Sequence, residues 1–202
     1  MFLTGNPDAL CNLFGYYGDV HKVKILRNKP DCALIQMAKP HQVFTIRQNL
    51  DQLKLHGKKI CVSFSRVESI KMPREIGYDA DEGTKDFTNV RGVHRFRNPM
   101  IASKLSKNLC APTSLLHVAN LPDTLKSEDL KTYITDHGFT VNQIDECGKD
   151  GSMALVQMST LEDAVMALAK LHNVTPEGHV TKNNSGLCFS FSKKDRSFKR
   201  SD

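Results

Sequence analysis

Two short apolar stretches occur twice along the chain, in the same order. Residues 32–37 read CALIQM and return as MALVQM at residues 153–158, 121 positions later. Residues 60–65 read ICVSFS and return as LCFSFS at residues 187–192, 127 positions later. Apolar runs of this length, bounded by polar and turn-forming residues, are typical of strands. Repetition in a fixed order at so long a period indicates two copies of one domain.

The apolar spacing predicts the same elements in both copies. In the first copy Asn6-Pro7 is typical of a helix start, with an asparagine cap and a proline at the first helical position. The elements that follow are a strand over Val20–Leu26, a strand over Ala33–Met37, a helix with the stripe Val43, Ile46, Leu50 and Leu53, and a closing strand over Ile60–Phe64. The second copy adds a leading strand, Leu115–Ala119, which completes the order β-α-β-β-α-β.

The first copy has no room for such a leading strand. Matching Leu130 to Leu10 places the counterpart of Asn120 at position zero, so the equivalent strand falls before Met1. We expect further upstream sequence in any longer form of the protein, or a shortened strand made by Met1–Thr4. The predicted fold class is α+β: two ferredoxin-like β-α-β-β-α-β domains, the first missing or shortening its leading strand.

The segment between the copies is rich in proline and glycine and has little periodicity. It is nevertheless too apolar for a free spacer, because it contains residues such as Ile70, Phe87 and Phe96. The predicted organisation is a truncated first domain, a partly packed linker, a second domain and a basic tail, at residues 1–66, 67–113, 114–193 and 194–202.

Charge is distributed unevenly around a net charge of +6. Residues 1–66 hold ten Lys and Arg against four Asp and Glu, whereas residues 114–192 hold five against ten. A basic excess favours a polyanionic partner. No stretch approaches the roughly 20 apolar residues of a membrane helix, so no membrane association is predicted. The six cysteines form no CxxC pair and the eight histidines show no ligand spacing, so we predict reduced thiols, no metal and no cofactor.

Residues 116–121, LHVANL, match the first-strand motif of RNA recognition motifs (RRMs), in which the second position usually stacks on a base. His117 occupies that position. On the third strand, the two positions that are usually aromatic hold Met153 and Leu155, and in the first copy Cys32 and Leu34. The predicted platform is therefore aliphatic.

An aliphatic platform resembles the last two RRMs of polypyrimidine-tract-binding proteins. Segments that match this family include YGDV at 17–20, KLHGK at 54–58, PRE at 73–75, HRF at 94–96 and SFSK at 190–193. The resemblance implies a nuclear protein without catalytic activity that binds pyrimidine-rich single-stranded RNA and regulates pre-mRNA splicing. It also implies splicing-factor proteins as further partners, and we expect a monomer.

With the RRM assignment, strand alternation predicts which side chains face the RNA. Aliphatic residues would pack on bases, hydroxyl and amide groups would read base edges, and Lys and Arg would meet phosphates. In the first copy these residues are Lys22, Lys24, Leu26, Arg27, Leu34, Gln36, Ser63 and Ser65. In the second copy they are His117, Ala119, Met153, Leu155, Gln157, Ser190, Ser192, Lys193 and Lys194.

Four positions on or beside this surface depart from the resembled family. The family favours an aromatic residue at Arg27, Asn at Cys32, Lys at Asp145 and an aromatic residue at Cys147. These departures imply an altered or lower affinity for RNA.

The resemblance also implies contact between the two domains. The family uses the positions of Glu162, Val165 and Ala169 in that contact, and Phe44 is the counterpart of Val165 in the first copy. Apolar groups at matched positions, together with an apolar linker, favour a fixed interface.

Two other functions compete with RNA binding. An adaptor built on RRMs that bind RNA weakly or not at all fits the acidic second copy, and salt-dependent binding of a pyrimidine oligomer would separate the two hypotheses. An acylphosphatase-like enzyme would need an anion-binding loop after the first strand. Residues 121–124, LPDT, contain an acidic residue and no glycine, so we exclude this activity.

Overall fold

The computed structural model describes residues 5–73, 82–90, 92–148, 151–181 and 185–193. The chain forms two compact units, unit 1 (Met1–Leu109) and unit 2 (Cys110–Asp202). Within the described ranges, no helix has both the length and the apolar character needed to cross a membrane.

Unit 1 begins with the predicted capped helix, α1 (Pro7–Gly15). The Asn6 side chain accepts the N–H groups of Asp8 at 2.8 Å and Ala9 at 3.4 Å, which satisfies two donors that the first helical turn leaves without a partner. The hairpin of β1 (Val20–Leu26) and β2 (Lys29–Met37) follows. Strand β2 starts earlier than predicted, because Leu26 pairs with Lys29 across a two-residue turn.

One face of this hairpin forms the core of unit 1. Val20 and Val23 are buried against Leu10 and Cys11 of α1, and Ile25, Ala33, Ile35 and Met37 pack on the same cluster. Because side chains alternate along a strand, the residues between them lie on the opposite face, away from α1. Helix α2 (Pro40–Leu50) contributes buried Ile46 and Leu50, and it ends before the fourth residue of its predicted stripe, Leu53.

The predicted closing strand of unit 1 is wrong. Ile60–Phe64 forms no strand, whereas its counterpart in unit 2 does. A short hairpin of β3 (Lys54–Leu55) and β4 (Lys58–Lys59) precedes it, and its turn residues His56 and Gly57 both have positive φ. A strand needs a partner for its ladder, and the described residues of unit 1 contain no leading strand that could be that partner. Met1–Thr4, the predicted shortened strand, lies outside the described residues.

The third strand of the sheet in unit 1 comes from the segment that follows residues 60–64. Strand β5 (Thr84–Asp86) pairs antiparallel with β1, which gives the sheet order β2-β1-β5. Phe87, directly after β5, is buried in the core of unit 1. Further along, Asp19 accepts the N–H of Phe96 at 2.9 Å, and helix α3 (Pro99–Ser106) follows. Strand β5, Phe87 and Phe96 therefore contribute to the fold of unit 1.

Hydrogen exchange should report the incomplete sheet of unit 1. In the described part of the chain, β2 pairs with β1 alone. We expect alternate amides of residues 33–37 to exchange rapidly, while the amides of residues 154–158, whose strand is paired on both edges, are protected throughout. Uniform protection across residues 33–37 would show that a further segment pairs with β2.

Unit 2 has the complete predicted order. Its elements are β6 (Leu115–Ala119), α4 (Ser127–Asp136), β7 (Val141–Cys147), β8 (Met153–Met158), α5 (Leu161–Leu171) and β9 (Cys188–Phe191). The four strands form one antiparallel sheet in the order β7-β8-β6-β9. The predicted fold class, α+β with two ferredoxin-like domains of which the first lacks its leading strand among the described residues, is confirmed.

Candidate nucleic-acid interface

The register of unit 2 aligns four side chains across its whole sheet. Asp145 pairs with Leu155, Leu155 with His117, and His117 with Ser190. We call these four residues the His117 row. Their neighbours along the strands, among them Val118, Ala154, Val156 and Phe189, are completely buried. The His117 row therefore lies on the face of the sheet away from the core.

A second row runs beside the first. Cys147 pairs with Met153, Met153 with Ala119, and Ala119 with Cys188. All four are half-buried. Sequence reasoning placed Met153 and Ala119 here but missed Cys188, which two-residue alternation from Ser190 would have found. Together the two rows form a surface of aliphatic, thiol and polar side chains with a single ring, that of His117.

Two predicted contact residues of unit 2 have little free surface. Leu155 is 8% exposed and Ser192 is 7% exposed. The Ser192 carbonyl accepts the Thr113 hydroxyl at 2.8 Å, and its N–H donates to the Leu115 carbonyl at 2.9 Å. Gln157 is half-buried and donates its amide to Ser114, at 3.0 Å from the hydroxyl oxygen. The groups of Ser192 and Gln157 therefore make hydrogen bonds within unit 2. The more accessible residues of this surface are His117, Ala119, Met153 and Ser190.

One end of the His117 row is acidic. Asp145 is half-buried on β7, where it accepts a hydrogen bond from the Gln143 amide at 3.0 Å. A carboxylate in this position repels a phosphate that approaches the β7 edge. Lys193, just beyond β9 at the other edge, is exposed. Lys194 and the rest of the predicted basic tail lie outside the described residues.

Unit 1 presents a more basic face. Lys22 pairs with Gln36, and Lys24 pairs with Leu34, so a polar row and a mixed row lie side by side. These residues alternate with the core residues of the same strands and so lie on the opposite face. Leu26 lies at the end of β1, and Arg27 is exposed in the turn that follows.

Ser63 and Ser65 belong to no strand of unit 1. Both are exposed and belong to the segment that forms no strand, so their predicted placement on a fourth strand is wrong. The Ser65 hydroxyl oxygen accepts the N–H of Val67 at 3.0 Å. The cause is the same as for the closing strand, because no leading strand among the described residues holds this segment in the sheet. Contact of either serine with RNA stays a prediction.

The residues predicted to join the two domains differ in exposure. Val165 and Ala169 of α5 are buried and Glu162 is half-buried. Phe44 of α2 is 58% exposed, and its ring lies 5.1 Å from that of Phe64, centroid to centroid. Their contribution to a fixed interface stays a prediction.

The buried Cys11 of α1 is unsuited to act as a nucleophile. Burial, reinforced by the charge of Asp8, raises the pKa of the Cys11 thiol to about 12, so this cysteine stays protonated at neutral pH. Among the described residues, no group of three or more His, Cys, Asp or Glu side chains could hold a metal ion.

Comparison with known proteins agrees with this geometry. The family model described as "RNA recognition motif (a.k.a. RRM, RBD, or RNP domain)" matches residues 3–90. Polypyrimidine tract-binding protein homolog 3 of Arabidopsis thaliana is 33% identical over 179 residues, which cover 88% of this chain. The match spans 38% of the length of that relative.

Solved structures with similarity to the chain include an RRM and a protein–RNA complex. The third RRM of Hrb1, solved by NMR, is 21% identical, with 43% of this chain and 83% of that chain covered and a TM-score of 0.35. A Sxl-lethal protein–RNA complex is 18% identical, with 91% of this chain and 89% of that chain covered and a TM-score of 0.34. The strand order of unit 2, the family model and the sequence relative carry the family assignment. Residues 3–90 form a domain of the RNA recognition motif family, and over most of its length the chain is similar to a polypyrimidine tract-binding protein.

Proposed function

We propose that this chain binds pyrimidine-rich single-stranded RNA through the sheet faces of its two units and takes part in the regulation of pre-mRNA splicing. The observation that carries the proposal is the outer face of unit 2, where the His117 ring, the Ser190 hydroxyl and the aliphatic groups of Met153 and Ala119 lie on adjacent strands. The name of the Arabidopsis relative, a polypyrimidine tract-binding protein, supports the preference for pyrimidines.

In unit 2, one base stacks on the His117 ring and a second packs on Met153 and Ala119. Every base has a flat face, so packing of this kind gives affinity without distinguishing the four bases. A pyrimidine needs less area than a purine, and this surface has only one ring and short aliphatic groups. The small platform therefore favours the smaller bases.

Selection of the base comes from polar groups at the rim of this surface. The Ser190 hydroxyl lies beside His117 on the neighbouring strand, and it can both donate and accept a hydrogen bond. Uracil and cytosine each present donors and acceptors along one edge, which a hydroxyl and main-chain groups at strand ends can match. The main-chain groups of Lys193 lie just beyond β9 at the same edge of the sheet.

Phosphate binding falls mainly to unit 1 and to the end of the chain. Lys24 lies on the face of the first sheet and Arg27 in the turn beyond it. Lys193 and Lys194 serve the second sheet, where Asp145 opposes phosphate at the far edge. Unit 1 therefore provides more of the electrostatic attraction, and unit 2 more of the base packing.

The setting proposed for this activity is the nucleus. There the chain acts as a monomer on pre-mRNA and mRNA, with splicing-factor proteins as further partners. RRMs are RNA-binding modules, and we propose neither catalysis nor a cofactor for this chain.

A titration of the whole chain with RNA, followed by fluorescence anisotropy, tests the proposal. A short uridine- and cytidine-rich strand is compared with an adenosine-rich strand of equal length over a series of salt concentrations. We expect tighter binding of the pyrimidine strand and affinity that falls as salt rises. Equal affinity for both strands would overturn the pyrimidine preference. No binding of either strand would favour an adaptor that contacts proteins, in keeping with the excess of acidic over basic residues in 114–192.

A further inference from the structure

The main chain of Ile70 is hydrogen-bonded to the face of unit 1 that we assign to RNA. Its N–H donates to Gln36 Oε1 at 3.0 Å, and its carbonyl oxygen accepts from Lys22 Nζ at 3.1 Å. Lys22 and Gln36 are direct cross-strand neighbours. A single residue from outside the sheet therefore engages both members of one row.

The side chain of Ile70 anchors this contact. Ile70 is 5% exposed, although it belongs to no helix or strand, whereas Val67 in the same segment is 52% exposed. Lys71, the next residue, is also exposed. Burial of one apolar side chain between exposed neighbours holds the main chain of Ile70 against the sheet. We call residues 68–72 the latch.

The groups that Ile70 offers resemble those of a pyrimidine. A peptide presents one N–H donor and one carbonyl acceptor, and the edge of uracil presents an N–H between two carbonyl oxygens. Lys22 can only donate, and the Gln36 amide can donate and accept. In contacting the Ile70 peptide, Lys22 donates one hydrogen bond and Gln36 accepts one. The same two groups would match one acceptor and one donor on the edge of a pyrimidine.

The contact distances make the two occupants exclusive. The Ile70 nitrogen lies 3.0 Å from Gln36 Oε1, which is the distance at which the polar atom of a base edge would lie. Gln36 Oε1 and Lys22 Nζ can each make further hydrogen bonds, so the exclusion is steric: a base edge cannot take this position while the peptide occupies it. Lys24 and Leu34, in the next row, have no such contact with Ile70 among the hydrogen bonds of the described residues.

We propose that the latch is an intramolecular competitor of RNA, which occupies Lys22 and Gln36 in the free protein and leaves when pyrimidine RNA binds unit 1. This inference rests on the proposed function, because it needs unit 1 to bind RNA. Its consequence is a lower apparent affinity of unit 1 for RNA. The association constant is multiplied by the fraction of molecules in which the latch is open.

Replacement of the anchor tests the latch. Ile70→Ser removes the buried side chain, and Val67→Ser makes the same kind of change at an exposed position of the same segment as a control. We expect Ile70→Ser in the full chain to raise the affinity of unit 1 for the pyrimidine strand at least about threefold, as for a latch closed in most molecules. The amides of Lys24 and His117 report binding to unit 1 and unit 2 separately, and only the first should change. Val67→Ser should bind like the unaltered chain.

A second measurement needs no substitution and decides the matter if Ile70→Ser fails to fold. Hydrogen exchange of the Ile70 amide is compared in the unaltered chain with and without saturating pyrimidine RNA. We expect the Ile70 amide to lose protection in the complex while the amides of β1 keep theirs. Unchanged or greater protection of Ile70, or equal or weaker binding by a folded Ile70→Ser variant, would overturn the latch. If neither protein binds pyrimidine RNA, the proposed function itself fails.

Discussion

Replacing Lys24 and Arg27 together with alanine should weaken binding of a pyrimidine strand about tenfold near physiological salt, and should lower the salt dependence of binding by about 1.4 in slope. Each contact between a cationic side chain and a phosphate releases roughly 0.7 counterion from a single strand. Both residues lie on or next to the face of unit 1 opposite its core, in a part of the chain with ten basic against four acidic residues. Affinity measured over a salt series gives both quantities.

Two comparisons make this result specific. Lys104→Ala with Lys107→Ala removes the same charge from α3 and the residue after it, outside the sheet, and should change the slope little. His117→Ala should weaken binding less than the double substitution, about threefold, and leave the slope unchanged, because it removes base packing and no lysine or arginine contact with phosphate. If His117→Ala is the more damaging change, base packing in unit 2 governs affinity and the charge argument is wrong.

The second large effect is on stability. Asp19→Ala should lower the free energy of unfolding of unit 1 by about 2–3 kcal/mol, the typical cost of leaving a hydrogen-bonded buried group without its partner. The Asp19 side chain is buried, accepts the N–H of Phe96 at 2.9 Å, and has His94 Nδ1 at 3.8 Å. His94 in turn is hydrogen-bonded to the Phe87 carbonyl at 2.7 Å. The substitution thus removes the contacts that hold His94 and Phe96 to the residue before β1.

Urea unfolding, followed by hydrogen exchange at the amides of Phe87 and Phe96, measures this loss. Asp19→Asn keeps an acceptor for Phe96 and should lose less than Asp19→Ala. Asp8→Ala is the matched control, because Asp8 and Lys85 form an exposed ion pair at 2.7 Å, and such pairs contribute about 1 kcal/mol or less. Equal stability of Asp19→Ala and the unaltered chain would show that residues 87–96 are held by other contacts.

Unit 2 could be predicted almost completely from the sequence because each of its signals is local. The apolar alternation of Leu115–Ala119 and Met153–Met158 sets which face is buried, and the two strands pair over their full predicted lengths. The helix over Leu161–Leu171 begins where Thr160 accepts the N–H of Asp163 at 3.0 Å. At these positions, propensity, capping and pattern all favour the same fold.

Unit 1 could be predicted only in part, because two of its features depend on distant partners. Ile60–Phe64 has a strand pattern as good as that of its repeat, yet the described residues give it no neighbour to pair with. Thr84–Asp86 has no apolar pattern, yet it becomes a strand because the edge of β1 is available. Strand formation is a property of a pair, which one segment alone does not specify.

The candidate site, too, could be predicted from the sequence only in part. Alternation correctly placed His117, Met153 and Lys24 on the outer faces, because alternation depends only on the strand itself. Ser63 and Ser65 were misplaced, because they were assigned to a strand that unit 1 does not form. The contact of Ile70 with Lys22 and Gln36 was missed, because no local pattern indicates where a residue between elements will rest.

The most direct test of sheet-face binding is to observe which side chains touch the bases. Methyl-labelled protein in complex with a short pyrimidine strand would be studied for intermolecular nuclear Overhauser effects between methyl groups and the H5 and H6 protons of the bases. We expect such contacts from Met153, Ala119 and Leu34, on the outer faces of the two sheets. Contacts confined to methyl groups of α4 or α5, or their absence from all three residues in a saturated complex, would contradict it.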